Sequence, residues 1–110
     1  MSAVGRRIRR NLVVQCWGTP QAAVGSVNEP RDRSENGVCF NEKWLYRVPG
    51  HGTEPGYERI VYWMRYDFVA SFIIERDGNI GREHPDAVLA SLRDRLYLPL
   101  RVTDAQNVDT

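Results

Sequence analysis

Glu42 is the residue whose type and position are best suited to chemistry. Alternate residues around it, Phe40, Trp44 and Tyr46, are aromatic, as expected for one face of a β-strand. Burial among them would raise the pKa of the carboxyl group and suit a general acid or base. In the alternative interpretation, Glu42 lies near a sheet edge or pairs with a neighbouring cation. The candidate cations are Lys43, Arg59 and Arg65.

No other group completes a catalytic motif with Glu42. His51 lies in the Gly-rich loop that follows the same predicted strand, roughly 25 to 30 Å from Glu42 along an extended backbone. The two cysteines and two histidines lack the spacing of metal ligands. No nucleophile or phosphate-binding motif is present. We therefore expect neither a metal nor a cofactor, and an enzyme with Glu42 as acid or base is one of three candidate functions.

A basic cluster near the N terminus supports a second candidate function, nucleic-acid binding. It consists of Arg6, Arg7, Arg9 and Arg10. Such arginines can contact phosphates while aromatic residues on strands stack on bases. However, the chain has 15 basic and 14 acidic residues and a net charge of +1, which argues against a general polyanion binder. A solvated N-terminal arm is the alternative that we prefer, and we do not expect a nucleic-acid partner.

The longest apolar stretch, Tyr57 to Glu75, must organise the elements that position these residues. Its alternating, aromatic and β-branched sequence predicts β-structure. We expect either one bent strand with a bulge or a reversal near Tyr66 and Asp67. A reversal would pair Ile60 with Ile73 and Met64 with Val69.

A second strand is predicted from Val38 to Val48, followed by a turn-rich loop from Pro49 to Gly56. Pairing it with Tyr57 to Glu75, with apolar faces kept together, gives a definite register. In this register, Trp44 lies opposite Tyr62, Tyr46 opposite Ile60, and Glu42 opposite Met64. A slip of one residue would bury Arg59 and Arg65.

The remaining elements are predicted from local signals. Leu12 to Trp17 is predicted to be a strand, and residues 18–37 a long loop with a short strand at Ala22 to Val27. Arg76 to Asn79 predicts a turn before a strand around Ile80. Further elements are a helix opened by His84-Pro85-Asp86, an edge strand at Leu100 to Thr103, and a polar tail over 104–110.

The predicted helix has one apolar stripe and should end near Tyr97, before Pro99. The stripe contains Val88, Leu89, Leu92 and Leu96. The predicted fold is therefore α+β, with a mostly antiparallel sheet of four or five strands and one C-terminal helix packed on one face. Residues 1–110 form one domain, with a loose basic arm at 1–7.

One helix cannot cover both faces of such a sheet, and this leads to the third and preferred function. Trp63, Val61, Val69 and Ile73 lack an obvious cover, and aromatic residues are common at interfaces. We expect a non-enzymatic domain that forms a homodimer or larger homo-oligomer through this face and binds a small molecule or a protein partner. The predicted ligand or interface residues are Trp44, Tyr62, Trp63, Arg59 and Arg65. The sequence has no export signal and no apolar run long enough for a membrane span, so we expect a cytoplasmic protein without a membrane partner.

Overall fold

The computed structural model describes residues 6–29 and 31–94, which fold into the α+β class that the sequence predicts. The elements, in chain order, are β1 (Arg6–Arg7), α1 (Arg10–Trp17), β2 (Ala22–Gly25), β3 (Arg33–Glu35), β4 (Val38–Phe40), β5 (Glu42–Val48), β6 (Tyr57–Arg65), β7 (Phe68–Arg76), β8 (Asn79–Glu83) and α2, which spans residues 85–94 of the described chain. Six strands form an antiparallel sheet in the order β1-β7-β6-β5-β2, and β8 also pairs with β7. The pair β3 and β4 forms a separate two-stranded sheet.

The central stretch is a hairpin, not one bent strand. β6 and β7 are joined by Tyr66 and Asp67, where the reversal was expected, and Ile60 pairs with Ile73 as predicted. The predicted pairing of Met64 with Val69 is wrong, because the ladder is irregular there and Val69 lies opposite Trp63. Such an irregularity changes which side of the sheet the following residues face.

The predicted register between β5 and β6 is wrong by one residue. Trp44 lies opposite Val61, Tyr46 opposite Arg59, and Glu42 opposite Trp63. The expectation that this register would bury Arg59 and Arg65 is wrong, because Arg59 is only partly buried and Arg65 is exposed. Because both faces are covered in the structure, the aromatic residues of β5 can join Val61 and Trp63 instead.

The predicted strand Val38 to Val48 is divided at Asn41. The backbone N–H of Asn41 donates to the carbonyl oxygen of Trp63 at 2.8 Å. β4, which precedes Asn41, is not part of the main sheet. It pairs with β3 across the turn at Asn36 and Gly37. Both turn residues have positive φ, 53° and 75°, as a two-residue hairpin turn requires. The predicted loop over 18–37 therefore contains two strands, β3 and the expected short strand β2.

The predicted first strand, Leu12 to Trp17, is wrong, since these residues belong to α1. Leu12, Val13, Cys16 and Trp17 pack against the core at helical spacing. The N-terminal end of α1 is held by a distant residue, because the backbone N–H of Arg10 donates to Asp67 Oδ1 at 3.3 Å. The β-branched residues between Leu12 and Trp17 favoured a strand, but tertiary packing overrides that weak preference.

Both faces of the sheet are covered within one chain. The helix-covered face packs against residues of α1 and α2. It contains Trp44, Tyr46, Val61, Trp63, Val69 and Phe72, covered by Ile8, Val13, Val88, Leu89 and Leu92. The hairpin-covered face packs against β4. It contains Ile60, Tyr62, Ala70 and Ile73, covered by Val38 and Phe40.

The C-terminal helix is confirmed at its start, because residues 85–94 are helical and Val88, Leu89 and Leu92 are buried. Several predictions fall outside the described residues. They are the end of the helix near Tyr97, the stripe residue Leu96, the strand at Leu100 to Thr103 and the tail at 104–110. In the predicted basic arm at 1–7, Arg6 and Arg7 form β1, which pairs with the start of β7.

Candidate functional site

Glu42 is engaged by three donors from separate parts of the chain. Its Oε2 accepts hydrogen bonds from Arg10 Nη2 and from Trp44 Nε1, both at 2.7 Å. Its Oε1 accepts the backbone N–H of Val27 at 3.1 Å. The side chain is only 12% exposed. Glu42 does pair with a cation, as the alternative interpretation expected, but the partner is Arg10.

Three aromatic rings surround the guanidinium of Arg10. Its Cζ lies 4.8 Å from the ring centres of Trp44 and Trp63 and 5.0 Å from that of Tyr66. Arg10 Nη1 also donates to the backbone carbonyl of Tyr66 at 2.8 Å. The Arg10 and Glu42 pair therefore joins α1 to the sheet, and a reactant at Glu42 would have to replace contacts that hold the fold. An acid or base role for Glu42 stays a prediction.

The four arginines of the basic cluster differ in exposure and in their partners. Arg6 pairs with Asp86 at 3.0 Å, Arg10 is enclosed, and Arg7 and Arg9 are exposed. Stacking on bases also requires exposed rings. Of the five candidate stacking residues, Trp44, Tyr46, Tyr62 and Trp63 are buried in the chain, while Tyr66 is 62% exposed. Nucleic-acid binding stays a prediction.

The residues predicted to form one ligand or interface surface lie in different places. Trp44 and Trp63 belong to the helix-covered face, while Tyr62 lies below the β3–β4 hairpin. Arg65 is exposed at the end of β6. Arg59 lies on the helix-covered face opposite Tyr46. Val61, Trp63, Val69 and Ile73 are each 0% exposed, so the expected oligomer interface is covered within the chain; self-association itself stays a prediction.

Tyr62 belongs to a polar network that fastens the hairpin. Its hydroxyl donates to Glu35 Oε1 at 3.0 Å and accepts from Asn36 Nδ2 at 2.9 Å. Burial raises the pKa of Tyr62 to about 12. Lys43 Nζ donates to Glu35 at 2.9 Å, and this hydrogen bond lowers the pKa of that carboxyl group. These hydrogen bonds join β3 and its turn to β5 and β6.

A pocket of about 230 Å³ lies at the C-terminal end of α1, beside Arg59. We call it the Trp17 pocket, and it is lined by Cys16, Trp17, Gln21, Tyr46, Arg47, Val48, Tyr57 and Arg59. Of these residues, the sequence analysis had identified only Arg59 as a ligand candidate. The others were missed because α1 was assigned as a strand and the β5–β6 register was shifted, although the aromatic residues themselves were evident.

Arg59 is held rigidly at the wall of this pocket. Its Nε and Nη2 donate to Glu83 Oε1 and Oε2 at 3.1 and 2.8 Å, and its Cζ lies 4.3 Å from the centre of the Trp17 ring. Trp17 in turn packs edge-on against Tyr46 at 5.5 Å. Such stacking and two-point pairing fix the direction of the guanidinium.

Several hydrogen-bond donors of the pocket have no partner among the described residues. They are Arg59 Nη1, Gln21 Nε2 and the Tyr57 hydroxyl. The Tyr46 hydroxyl, in contrast, donates to the carbonyl of Gly18 at 2.9 Å, and burial raises its pKa. Gln21 Oε1 accepts the backbone N–H of Arg47 at 2.8 Å. The pocket thus offers aromatic surface and donors.

Residues 6–29 and 31–94 contain no group of three or more His, Cys, Asp or Glu residues that could hold a metal ion. In the same part of the chain, neither helix has the length and hydropathy needed to cross a membrane. No protein-family model, curated protein or solved structure matches this chain. Any functional assignment must therefore be argued from the geometry of the site.

Proposed function

We propose that this protein binds a small planar anion, such as an aromatic carboxylate, in the Trp17 pocket. The observation that carries the proposal is the composition of the lining, which contains three aromatic residues and two arginines but no Asp or Glu. A concave, partly apolar site with a few converging polar groups is the usual form of a small-molecule site.

The charge around the pocket favours an anion over a cation. Glu58 pairs with Arg47 at 3.3 Å and Glu83 pairs with Arg59, so the charges of both arginines are offset. Glu83 occupies only one edge of the Arg59 guanidinium and leaves Nη1 without a partner among the described residues. An incoming carboxylate can accept from this nitrogen and from Gln21 or Tyr57. A cation would find no carboxylate in the pocket lining and could interact only with the aromatic rings and the hydroxyl and amide oxygens.

The size and walls of the pocket limit the ligand further. Its volume of about 230 Å³ is below the roughly 300–1,000 Å³ of pockets for drug-sized molecules. Trp17 and Tyr57 each have one ring contacted by an arginine, Arg59 at 4.3 Å and Arg76 at 4.5 Å. A flat ligand would stack on the remaining aromatic surface. A single ring with one carboxylate therefore fits these walls better than a long or bulky molecule.

Benzoate, benzamide and benzamidinium test the proposal, because they share a shape and differ in charge. Tryptophan fluorescence and the NMR signal of the Trp17 indole N–H report binding. We expect benzoate to bind most tightly, benzamide more weakly, and benzamidinium least. Equal binding of all three, or preferred binding of benzamidinium, would contradict the proposal.

Two substitutions should change benzoate affinity in opposite directions. Arg59→Gln should weaken binding by roughly tenfold, equivalent to about 1.4 kcal/mol. Glu83→Gln should strengthen benzoate binding, because this substitution removes the carboxylate that competes for Arg59. Arg93→Gln is the matched control, since Arg93 is exposed on α2 and carries the same charge change. Unchanged affinity in Glu83→Gln, with the fold intact by circular dichroism, would count against an anion at Arg59.

A further inference from the structure

Arg33 in β3 is a half-buried cation without a carboxylate partner among the described residues. Its Nε is buried and makes no hydrogen bond. The other partly buried cations, Arg10, Lys43 and Arg59, each pair with a glutamate. Buried donors normally have an acceptor, and among the buried side-chain atoms of the described chain only Arg33 Nε and Trp63 Nε1 lack one. Since Arg33 Nε is closed off from solvent, a ligand in the cleft would have to bind the Nη1 and Nη2 groups of this side chain.

A cleft of about 520 Å³ adjoins Arg33. It is lined by Gly25, Ser26, Glu29, Arg31 and Arg33. Neither Arg31 nor Arg33 makes an ion pair within the described chain, so two guanidinium groups without a salt bridge border one cleft, together with the carboxylate of Glu29. Two such groups favour a doubly charged oxyanion, because each can donate more than one hydrogen bond to it.

Asn41 holds both walls of the cleft in place. This residue is 6% exposed. The side-chain Nδ2 of Asn41 donates to the backbone carbonyl of Arg31 at 3.2 Å. The backbone carbonyl of Asn41 accepts the backbone N–H of Ser26 at 3.1 Å. The cleft is therefore preorganised, which lowers the cost of ordering a ligand site on binding.

Gly25 allows the close packing at the base of the cleft. Its φ is +79°, and a Cβ there would collide with the Asn41 carbonyl oxygen and lie 2.8 Å from Arg33 Nε. Only glycine adopts this conformation without strain and leaves the space free. The chain thus brings the Arg33 side chain directly against the backbone at the end of β2.

We propose that this cleft, the Arg33 cleft, binds the phosphate group of a small ligand through Arg31 and Arg33. Glu29 lines the same cleft and is exposed, so it competes with the ligand for the two guanidinium groups. The Arg33 cleft shares no residue with the Trp17 pocket. A negative result at one site therefore does not contradict the proposal for the other.

Inorganic phosphate is the probe, titrated at constant ionic strength with chloride as the balancing ion. The readout is the NMR signal of the arginine Nε–H groups, in which the buried Arg33 Nε–H responds to phosphate bound at the Nη groups of the same guanidinium. We expect the Arg33 signal to shift and saturate in the millimolar range, with the Arg59 signal as an internal reference for the Trp17 pocket. A shift that grows linearly without saturating, or one that chloride reproduces, would overturn the proposal.

Exposed substitutions keep the test independent of folding. Arg31→Gln should weaken phosphate binding by roughly tenfold, and Glu29→Gln should strengthen it several-fold through removal of the competing charge. Arg93→Gln again provides the control with the same loss of positive charge. Phenyl phosphate then shows whether an attached organic group adds affinity. If Arg31→Gln and Glu29→Gln both bind phosphate as the unaltered protein does, the Arg33 cleft is not a phosphate site.

Discussion

At the scale of single residues, Arg10 and Glu42 form the least exposed ion pair in the described part of the chain, with side chains 13% and 12% exposed. Removing one member of such a pair leaves a desolvated charge without compensation, whereas removing both leaves none. Glu42 also accepts from Trp44 and Val27. Its contribution to stability therefore goes beyond the single ion pair.

We predict that Glu42→Ala lowers the free energy of unfolding by about 3 kcal/mol. The double variant Arg10→Ala/Glu42→Ala should cost less than the sum of the two single variants, because the two charges are coupled. Urea denaturation followed by tryptophan fluorescence measures both. The exposed pair of Arg47 and Glu58 is the control, since its side chains are 66% and 34% exposed and Glu58→Ala should cost less than about 1 kcal/mol. Equal costs for Glu42→Ala and Glu58→Ala would contradict the structural role of the buried pair.

The environment of Glu42 was predictable from the sequence, but its partner was not. An apolar strand pattern around one carboxylate indicates burial, and the side chain is indeed nearly enclosed. Arg10 is 32 residues away in sequence, and nothing local shows that α1 brings it to β5. The same limit applies to the Trp17 pocket, whose walls come from a helix, a loop and two strands.

At the scale of elements, the β3–β4 hairpin is the part of the fold that covers the second sheet face. Its β4 residues Val38 and Phe40 pack on Ile60, Tyr62 and Ile73. The turn at Asn36 and Gly37 requires positive φ at both positions. The hairpin therefore depends on a turn that few residue types can form.

We predict that Gly37→Ala destabilises the protein by about 1–2 kcal/mol, the cost of a left-handed conformation for a residue with a Cβ. Urea denaturation gives the change, and near-ultraviolet circular dichroism reports the packing around Tyr62. Gly81→Ala is the control, because Gly81 has no positive φ and its added Cβ would meet nothing closer than 3.9 Å. That substitution should change stability by less than about 0.5 kcal/mol. A Gly37→Ala variant as stable as Gly81→Ala would show that the turn does not hold the hairpin.

Elements with strong local signals were predictable, and elements set by packing were not. The turn at Arg76 to Asn79 and the start of α2 after His84 were expected where they occur. The reversal at Tyr66-Asp67 was only one of two alternatives, because these residues lack the Gly or Asn that a two-residue hairpin turn prefers. Asn36-Gly37 was a strong hairpin signal that the long-loop interpretation passed over. α1 was missed because its eight residues are too few for a helix to be stable by itself.

At the scale of the whole molecule, the sheet buries both faces without a second copy. The covers come from α1, α2 and the hairpin, so exposed aromatic surface no longer provides a reason for self-association. Trp63→Ala would instead remove a side chain that is 0% exposed. We expect it to lower the free energy of unfolding by about 3–5 kcal/mol, as is usual for large buried residues. A dimer would have to use another surface.

The outer edge of β2 is the surface at which we expect any self-association. All four residues of β2 are exposed and uncharged, and β5 is the only described strand that pairs with it. Uncharged strand edges pair readily with other strands, and a lysine on the edge opposes such pairing. We predict that Val24→Lys moves the mass measured by light scattering toward the 12.7 kDa of one chain.

Ile80→Lys on β8 is the matched control for this prediction, because Ile80 is also an exposed apolar residue on a strand. It should leave the mass unchanged across a dilution series. An oligomer that survives Val24→Lys would exclude the β2 edge as the interface. A mass of one chain at every concentration would contradict self-association altogether.

The sequence by itself determined the α+β class, the central β-structure, the turn before β8 and the start of the C-terminal helix, because hydrophobic period and turn chemistry are local properties. The tertiary structure decided that the central stretch reverses at Tyr66-Asp67. The tertiary structure alone decided that Leu12 to Trp17 is helical, which register joins β5 to β6, and which side chains meet at Glu42, in the Trp17 pocket and in the Arg33 cleft. These outcomes depend on what covers each face of the sheet. The covering segments are distant in sequence, and their packing energy outweighs the weak local preferences of the residues that they contact.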